Sequence, residues 1–133
     1  MYVDYTEEQK SFISTIRQEI GPEDVKTILE GFKDLKVLVI GETIIDQYIF
    51  CEALGKSGKE PVLVLRDLNT EEYVGGAAAV TNHLADFCSS ITLISALGES
   101  GEYEDFIKAN LAKNIRFEFI NKSNSPTIVK KRL

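Results

Sequence analysis

Tryptophan is absent from the 133-residue sequence, and histidine, cysteine and proline are scarce, with one, two and three copies. No CxxC, HxxxH or comparable spacing of metal ligands occurs, so the pattern of a structural zinc site is missing. Cys51 and Cys88 lie within apolar runs, and we interpret them as reduced packing residues. His83, the single histidine, falls inside a predicted helix, where a surface or packing role is favoured over catalysis.

Positive charge is also in short supply, because 15 Lys and Arg residues face 21 Asp and Glu residues and the net charge is -6. Nucleic-acid binding needs basic stripes that neutralise many phosphates, so we expect no nucleic-acid partner. The apolar runs are too short to span a membrane, and the start MYVDYTEEQK is acidic, unlike an export signal. The sequence therefore predicts a cytoplasmic protein with one domain or part of one.

Residues 1–35 predict a helical extension made of two amphipathic helices. Apolar residues share one face of residues 6–20, and Thr6 and Gln9 have the spacing of a capping box. Gly21 and Pro22 end this helix and begin the next. A charged helical surface is usually solvated, and an interaction role is the alternative.

The pattern then changes to that of an α/β protein. Buried strands are predicted for the runs KVLVIG, ITLISAL and IRFEFI, with helices at about 76–87 and 101–113 between them. Strands that alternate with helices predict a parallel sheet. Val80, Leu84 and Phe87 form the expected packing side of the first of these helices, and Ser100 is the expected N-cap of the second.

One segment, at about 47–74, breaks this alternation. It contains β-forming runs around the turn-prone sequence ALGKSGKE, and no helical pattern. We expect two or three strands here that form a separate small sheet, a lid that projects from the main one. The exposed edges of such a lid need a partner or a cover.

Two features could hold a ligand at the carboxyl ends of the strands. The first is the run GETIID after KVLVIG, which ends in Asp46, and the second is the pair Gly75 and Gly76 at a helix start. A carboxylate and free backbone amides could together bind a polyhydroxylated ligand. Each signal alone also fits an ordinary turn or cap. Neither a GxGxxG fingerprint nor a Walker A motif is present, which disfavours a plain nucleotide-binding domain.

Four segments, taken in order, resemble the N-terminal part of the ribokinase-like (PfkB) carbohydrate kinases: KVLVIGETIID, KEPVLVLRDLNTEEYVGGAAAVTNHLA, ITLISALGESGE and SPTIVKKRL. Within that family the sequence is most similar to heptose 7-phosphate kinases, and the resemblance covers about residues 36–133. It implies a partial three-layer α/β fold with a small β lid, transfer of the ATP γ-phosphate to a sugar, and homodimers that pair through the lid or edge strands.

The resemblance also assigns substrate-binding roles by position. Asp46 matches the aspartate that hydrogen-bonds sugar hydroxyls, and Gly75 and Gly76 match the di-glycine of the sugar site. Lys130 and Arg132 correspond to basic positions that could meet the substrate's phosphate, although a solvated charged strand end is an equal alternative. Ala79 stands where the family usually has asparagine, so one polar contact to the sugar is lost.

The family's catalytic Gly-Ala-Gly-Asp motif does not occur in these 133 residues. The resemblance therefore implies no catalytic residue, no metal and no cofactor in this chain, with ATP and magnesium expected for a full-length parent. We expect the chain alone to be an inactive, sugar-binding portion of a kinase. The alternative is a degenerate, non-catalytic relative that serves assembly or dimerisation. Glu42 and Glu99 stand where aspartate is commoner in the family, which is a milder departure from its pattern than Ala79.

Overall fold

A computed structural model describes residues 4–133, and the predictions for residues 1–3 lie outside the described residues. The elements in chain order are α1 (Glu7–Glu19), α2 (Pro22–Gly31), a short 3₁₀ turn (Phe32–Asp34), β1 (Lys36–Lys56), β2 (Leu63–Gly75), α3 (Gly76–Ala85), β3 (Ser90–Gly98), α4 (Glu104–Ala109), β4 (Ile115–Lys122) and β5 (Ile128–Arg132). The predicted α/β class, with its strands and helices in alternation, is confirmed.

The sheet is built around β1. Residues 36–42 of β1 pair in parallel with β3, which pairs in parallel with β4. Beyond Glu42, β1 leaves β3 and instead pairs with β2 in antiparallel orientation and with β5 in parallel orientation. The expectation of a separate lid sheet was therefore wrong in one respect, because one unbroken strand belongs to both the main sheet and the lid.

The hydrophobic core lies between the sheet and helices α3 and α4. Its buried members are Ile45, Ala78, Cys88, Ile91, Leu93, Leu97, Ile107 and Ile115. The side chains of Leu38, Ile40 and Ile120 point to the opposite face and are 56%, 70% and 59% exposed. Residues 4–133 thus supply the sheet and the helices of one face, which is two of the three expected layers.

Two predicted details of the helices were wrong. Val80 and Phe87 are 53% and 46% exposed, whereas Ala78 and Thr81 are fully buried. Small side chains face the sheet because α3 starts directly on it. Helix α4 is capped by Tyr103 and not by Ser100, and it is shorter than predicted.

The extension has the predicted caps, since Thr6 and Gln9 form a capping box and Pro22 begins α2. None of its helical residues is buried. It joins the domain at the carbonyl of Lys33, which accepts from the Ser89 hydroxyl at 2.6 Å. Across residues 4–133 no helix has the length and apolarity needed to cross a membrane.

Candidate functional site

The residues proposed to bind a sugar meet where β1 separates from β3. Asp46 of β1 is paired with Tyr73 of β2 on one side and with Lys130 of β5 on the other. Alternate residues of a strand point to the same face. Asp46 therefore shares a face of this sheet with Lys130 and Arg132.

The two glycines stand directly beside the carboxylate. A Cβ atom on Gly75 would collide with Oδ2 of Asp46 and lie 3.2 Å from the carbonyl oxygen of Ile44. Gly76 has a φ angle of +59°, and a Cβ there would collide with the carbonyl oxygen of Glu42. Within the chain, the Asp46 carboxylate is therefore the group that lies against the Gly75 backbone. Helix α3 begins next to this carboxylate, and its N-terminus has no side-chain cap.

Arg132 completes this cluster. Its Nη1 donates to Oδ1 of Asp46 at 2.6 Å, and its Cζ lies 4.8 Å from the centre of the Tyr48 ring. The hydrogen bond to Asp46 is the main cause of a raised pKa of the Arg132 guanidinium. Lys130 lies on the same face and is exposed.

The shallow pocket over this face has a volume of about 470 Å³. Its lining residues are Asp46, Tyr48, Phe50, Glu71 and Tyr73. The Tyr48 and Tyr73 rings meet edge to face at 5.9 Å, and the Tyr73 hydroxyl donates to Glu71 at 2.7 Å. This hydrogen bond to Glu71 is the main cause of a raised pKa of the Tyr73 phenol. Carboxylates beside aromatic faces suit a ring that carries hydroxyl groups.

Sequence reasoning missed the aromatic wall and Glu71. The signal was present in the two-residue period of a strand, since Tyr48 and Phe50 follow Asp46 on one face and Glu71 precedes Tyr73 on the other strand. A second concavity, of about 430 Å³, lies between α2 and the end of α3 and is lined by none of the predicted site residues. We assign the site to the first pocket, because Asp46 lines it together with Glu71 and two tyrosines. The other predicted site residues, Gly75, Gly76, Ala79, Lys130 and Arg132, are not among its lining residues.

The other residues singled out from the sequence have different places. Ala79 is half-buried on α3 and does not line the pocket. Glu42 forms an ion pair with Lys122, and Glu99 accepts from the Asn124 amide at 2.9 Å. His83 is exposed, as interpreted, and Cys88 is buried while Cys51 is half-buried, both as free thiols. Within residues 4–133 no three His, Cys, Asp or Glu side chains cluster as metal ligands.

Comparison with known proteins finds relatives that are named as heptose 7-phosphate kinases and bifunctional HldE proteins. No family model matches it. A bifunctional protein HldE of Vibrio parahaemolyticus is 29% identical over 109 residues, which are 82% of this chain and 23% of that protein. A D-beta-D-heptose 7-phosphate kinase of Bordetella bronchiseptica is 30% identical over 98 residues, which are 74% of this chain and 31% of that protein.

Among solved structures, the nucleoside kinase of Methanocaldococcus jannaschii, an archaeal member of the ribokinase family, is 20% identical. The match covers 70% of this chain and 35% of that one, with a TM-score of 0.41. The sequence relatives confirm the resemblance that the motifs indicated: the chain is a relative of the ribokinase-like carbohydrate kinases. More narrowly, the proteins it matches include a heptose 7-phosphate kinase, and it spans 23% and 31% of the lengths of these two relatives.

Proposed function

We propose that this chain is the sugar-binding, lid-bearing portion of a carbohydrate kinase. Its substrate would be a sugar or sugar phosphate, and heptose 7-phosphate is the compound named in one relative. The observation that supports this most is the contact of the Asp46 carboxylate with Gly75, at the mouth of a pocket with aromatic walls. In this proposal residues 1–35 are a helical extension, residues 36–133 are kinase-like and the lid spans about 47–74.

Each group at the site has a chemical part in binding. The Asp46 carboxylate accepts hydrogen bonds from sugar hydroxyls, and backbone amides at Gly75 and Gly76 donate to sugar oxygens. Arg132 and Lys130 offer positive charge to a phosphate, and the planar guanidinium can bind it through two hydrogen bonds. The Tyr48 and Tyr73 rings cover the apolar face of the sugar.

Phosphoryl transfer needs further groups that position and neutralise the moving phosphate. A Gly-Ala-Gly-Asp motif and a phosphate loop are missing from these 133 residues. We therefore assign ATP and magnesium to the remainder of a full-length parent. The 133-residue chain alone is expected to bind sugar without transferring phosphate.

Calorimetric titration with D-glycero-D-manno-heptose 7-phosphate tests this function. Asp46→Asn should weaken binding about tenfold to a hundredfold, because a buried hydrogen bond to a charged group contributes about 1.5–3 kcal/mol. Asp67→Asn, on the exposed part of β2, is the matched control and should bind as the wild type does. Absence of binding would contradict the proposal, and steady turnover with ATP would contradict the inactivity of the chain.

A second proposed function is homodimerisation through the lid, and the exposed apolar side chains of the lid favour it. Apolar side chains of the lid segment are 39–64% exposed; they are Phe50, Leu54, Val62, Leu63, Val64, Leu65 and Leu68. An exposed apolar strand pair is a surface that a second copy can cover. Light scattering should give twice the monomer mass, and a monomer at high concentration would contradict both this role and the alternative of an assembly module.

A further inference from the structure

One oxygen of the Asp46 carboxylate is hydrogen-bonded within the chain, and the other faces the backbone of Gly75. Oδ1 accepts from Arg132 Nη1 at 2.6 Å, and Oδ2 lies against Gly75 where a side chain would stand. A carboxylate that binds a sugar hydroxyl must offer an oxygen to it. The hydrogen bond from Arg132 therefore competes with the sugar for Oδ1.

Few other contacts hold the Arg132 guanidinium in this position. Beyond Asp46, its guanidinium lies over the Tyr48 ring, and that ring is met edge-on by Tyr73. The two charged side chains keep 36% and 26% of their surface exposed, so an incoming anion can reach the guanidinium. A partly exposed ion pair contributes about 0–1 kcal/mol, which a phosphate with two hydrogen bonds can outweigh.

We propose that Arg132 reversibly blocks Oδ1 of Asp46 through its hydrogen bond, and we call this arrangement the latch. An anionic phosphate group at the site draws the guanidinium away from Oδ1, and the freed oxygen then accepts from a sugar hydroxyl. Binding of phosphate and binding of the sugar ring are therefore positively coupled, and the coupling is reciprocal. The latch rests on the proposed function, because it takes Asp46 as the group that binds the sugar.

Calorimetry with the neutral sugar D-glycero-D-manno-heptose, with and without inorganic phosphate, measures this coupling. In the wild type, phosphate should raise the affinity for the neutral sugar about twofold to fivefold, which is the range that breaking such an ion pair allows. Arg132→Gln should bind the neutral sugar more tightly than the wild type without phosphate, and phosphate should then have no effect. Lys131→Gln is the matched control, since Lys131 is exposed on the opposite face of β5, and it should keep the coupling.

A second readout uses the unchanged chain. Inorganic phosphate should shift the NMR resonance of the Arg132 Nε–H and the carboxyl carbon of Asp46 together, with one saturation curve. If Arg132 only binds phosphate and does not release Asp46, phosphate would shift the Arg132 resonance alone. That result would overturn the latch.

The outcomes separate the latch from the proposed function. If the neutral sugar binds equally with and without phosphate, or more weakly to Arg132→Gln, the latch is wrong while sugar binding stands. If neither the heptose nor its 7-phosphate binds the wild type, the proposed function fails, and the latch fails with it.

Discussion

The Asp46 carboxylate occupies the space that a side chain on Gly75 would fill. The φ angle of Gly75 is -122°, which any residue can adopt, so a need for space and not for an unusual backbone explains this glycine. Gly76 differs, since its φ of +59° is in the region that favours glycine. The pair therefore serves two purposes, room for a carboxylate and a sharp start for α3.

Gly75→Ala should displace the Asp46 carboxylate and weaken sugar binding. We expect a loss of about 1–3 kcal/mol in the free energy of unfolding, typical of a methyl group forced into an occupied space. Urea denaturation measures this loss. Gly58→Ala is the matched control, because no heavy atom lies within 4 Å of its added Cβ. Equal effects of the two substitutions would show that the contact with Asp46 is unimportant.

Ala79→Asn should restore the polar contact that the family pattern implies. A new hydrogen bond to the sugar would raise affinity for the heptose phosphate about tenfold, if it contributes the usual 1 kcal/mol or slightly more. Val80→Asn, at the neighbouring position that is 53% exposed, controls for a general effect of asparagine on α3. Unchanged calorimetric affinity for Ala79→Asn would place this residue outside the sugar site.

Thr43 and Ser95 share a buried hydrogen bond that joins β1 to β3 at 2.7 Å. Ser95→Ala should lower the free energy of unfolding by about 1–3 kcal/mol, because the buried Thr43 hydroxyl then lacks a partner. The double variant Thr43→Val with Ser95→Ala removes both polar groups and should recover part of this loss. A double variant that is less stable by the full sum of the single losses would argue against the pair.

Glu102 gives the fold a dependence on pH. Its pKa is lowered mainly by a hydrogen bond from its own backbone amide, with further hydrogen bonds from residues that include Thr127. Because the folded pKa is below the ordinary value, the stabilisation is present above about pH 4.3 and is lost as the pH falls through the lowered pKa. Glu102→Gln should therefore destabilise at pH 7 and have a smaller effect at pH 3, which urea denaturation at the two pH values measures. An equal effect at both pH values would contradict this account.

The sequence was sufficient for what depends on local pattern. Continuous apolar or β-forming runs predicted the strands, helical repeats predicted the helices, and the Thr6 and Gln9 spacing predicted the first cap correctly. The packing side of α3 was predicted correctly at Leu84 and wrongly at Val80 and Phe87. Apolarity favoured these large residues, whereas the close approach of helix and sheet places small residues such as Ala78 against it. Proximity to the sheet is a tertiary property that no local repeat contains.

The site was predictable only in part, for a similar reason. The sequence indicated that Asp46 follows a buried strand and that Gly75 begins a helix. The two do meet, but Asp46 lies in the middle of β1, which continues past the predicted strand end, and Gly75 ends β2. The hydrogen bond between Asp46 and Arg132 joins residues 86 positions apart and depends on the register of β5 against β1. No spacing in the sequence gives that register, and the sugar-binding roles of these residues stay predictions.

The most direct test of a sugar site at Asp46 and Gly75 is an NMR titration of the 133-residue chain with D-glycero-D-manno-heptose 7-phosphate. We predict saturable shifts at the amides of Gly75 and Gly76 and at the Arg132 side chain, all with one dissociation constant. Shifts confined to the groove between α2 and α3, or no saturable shift at all, would contradict the account.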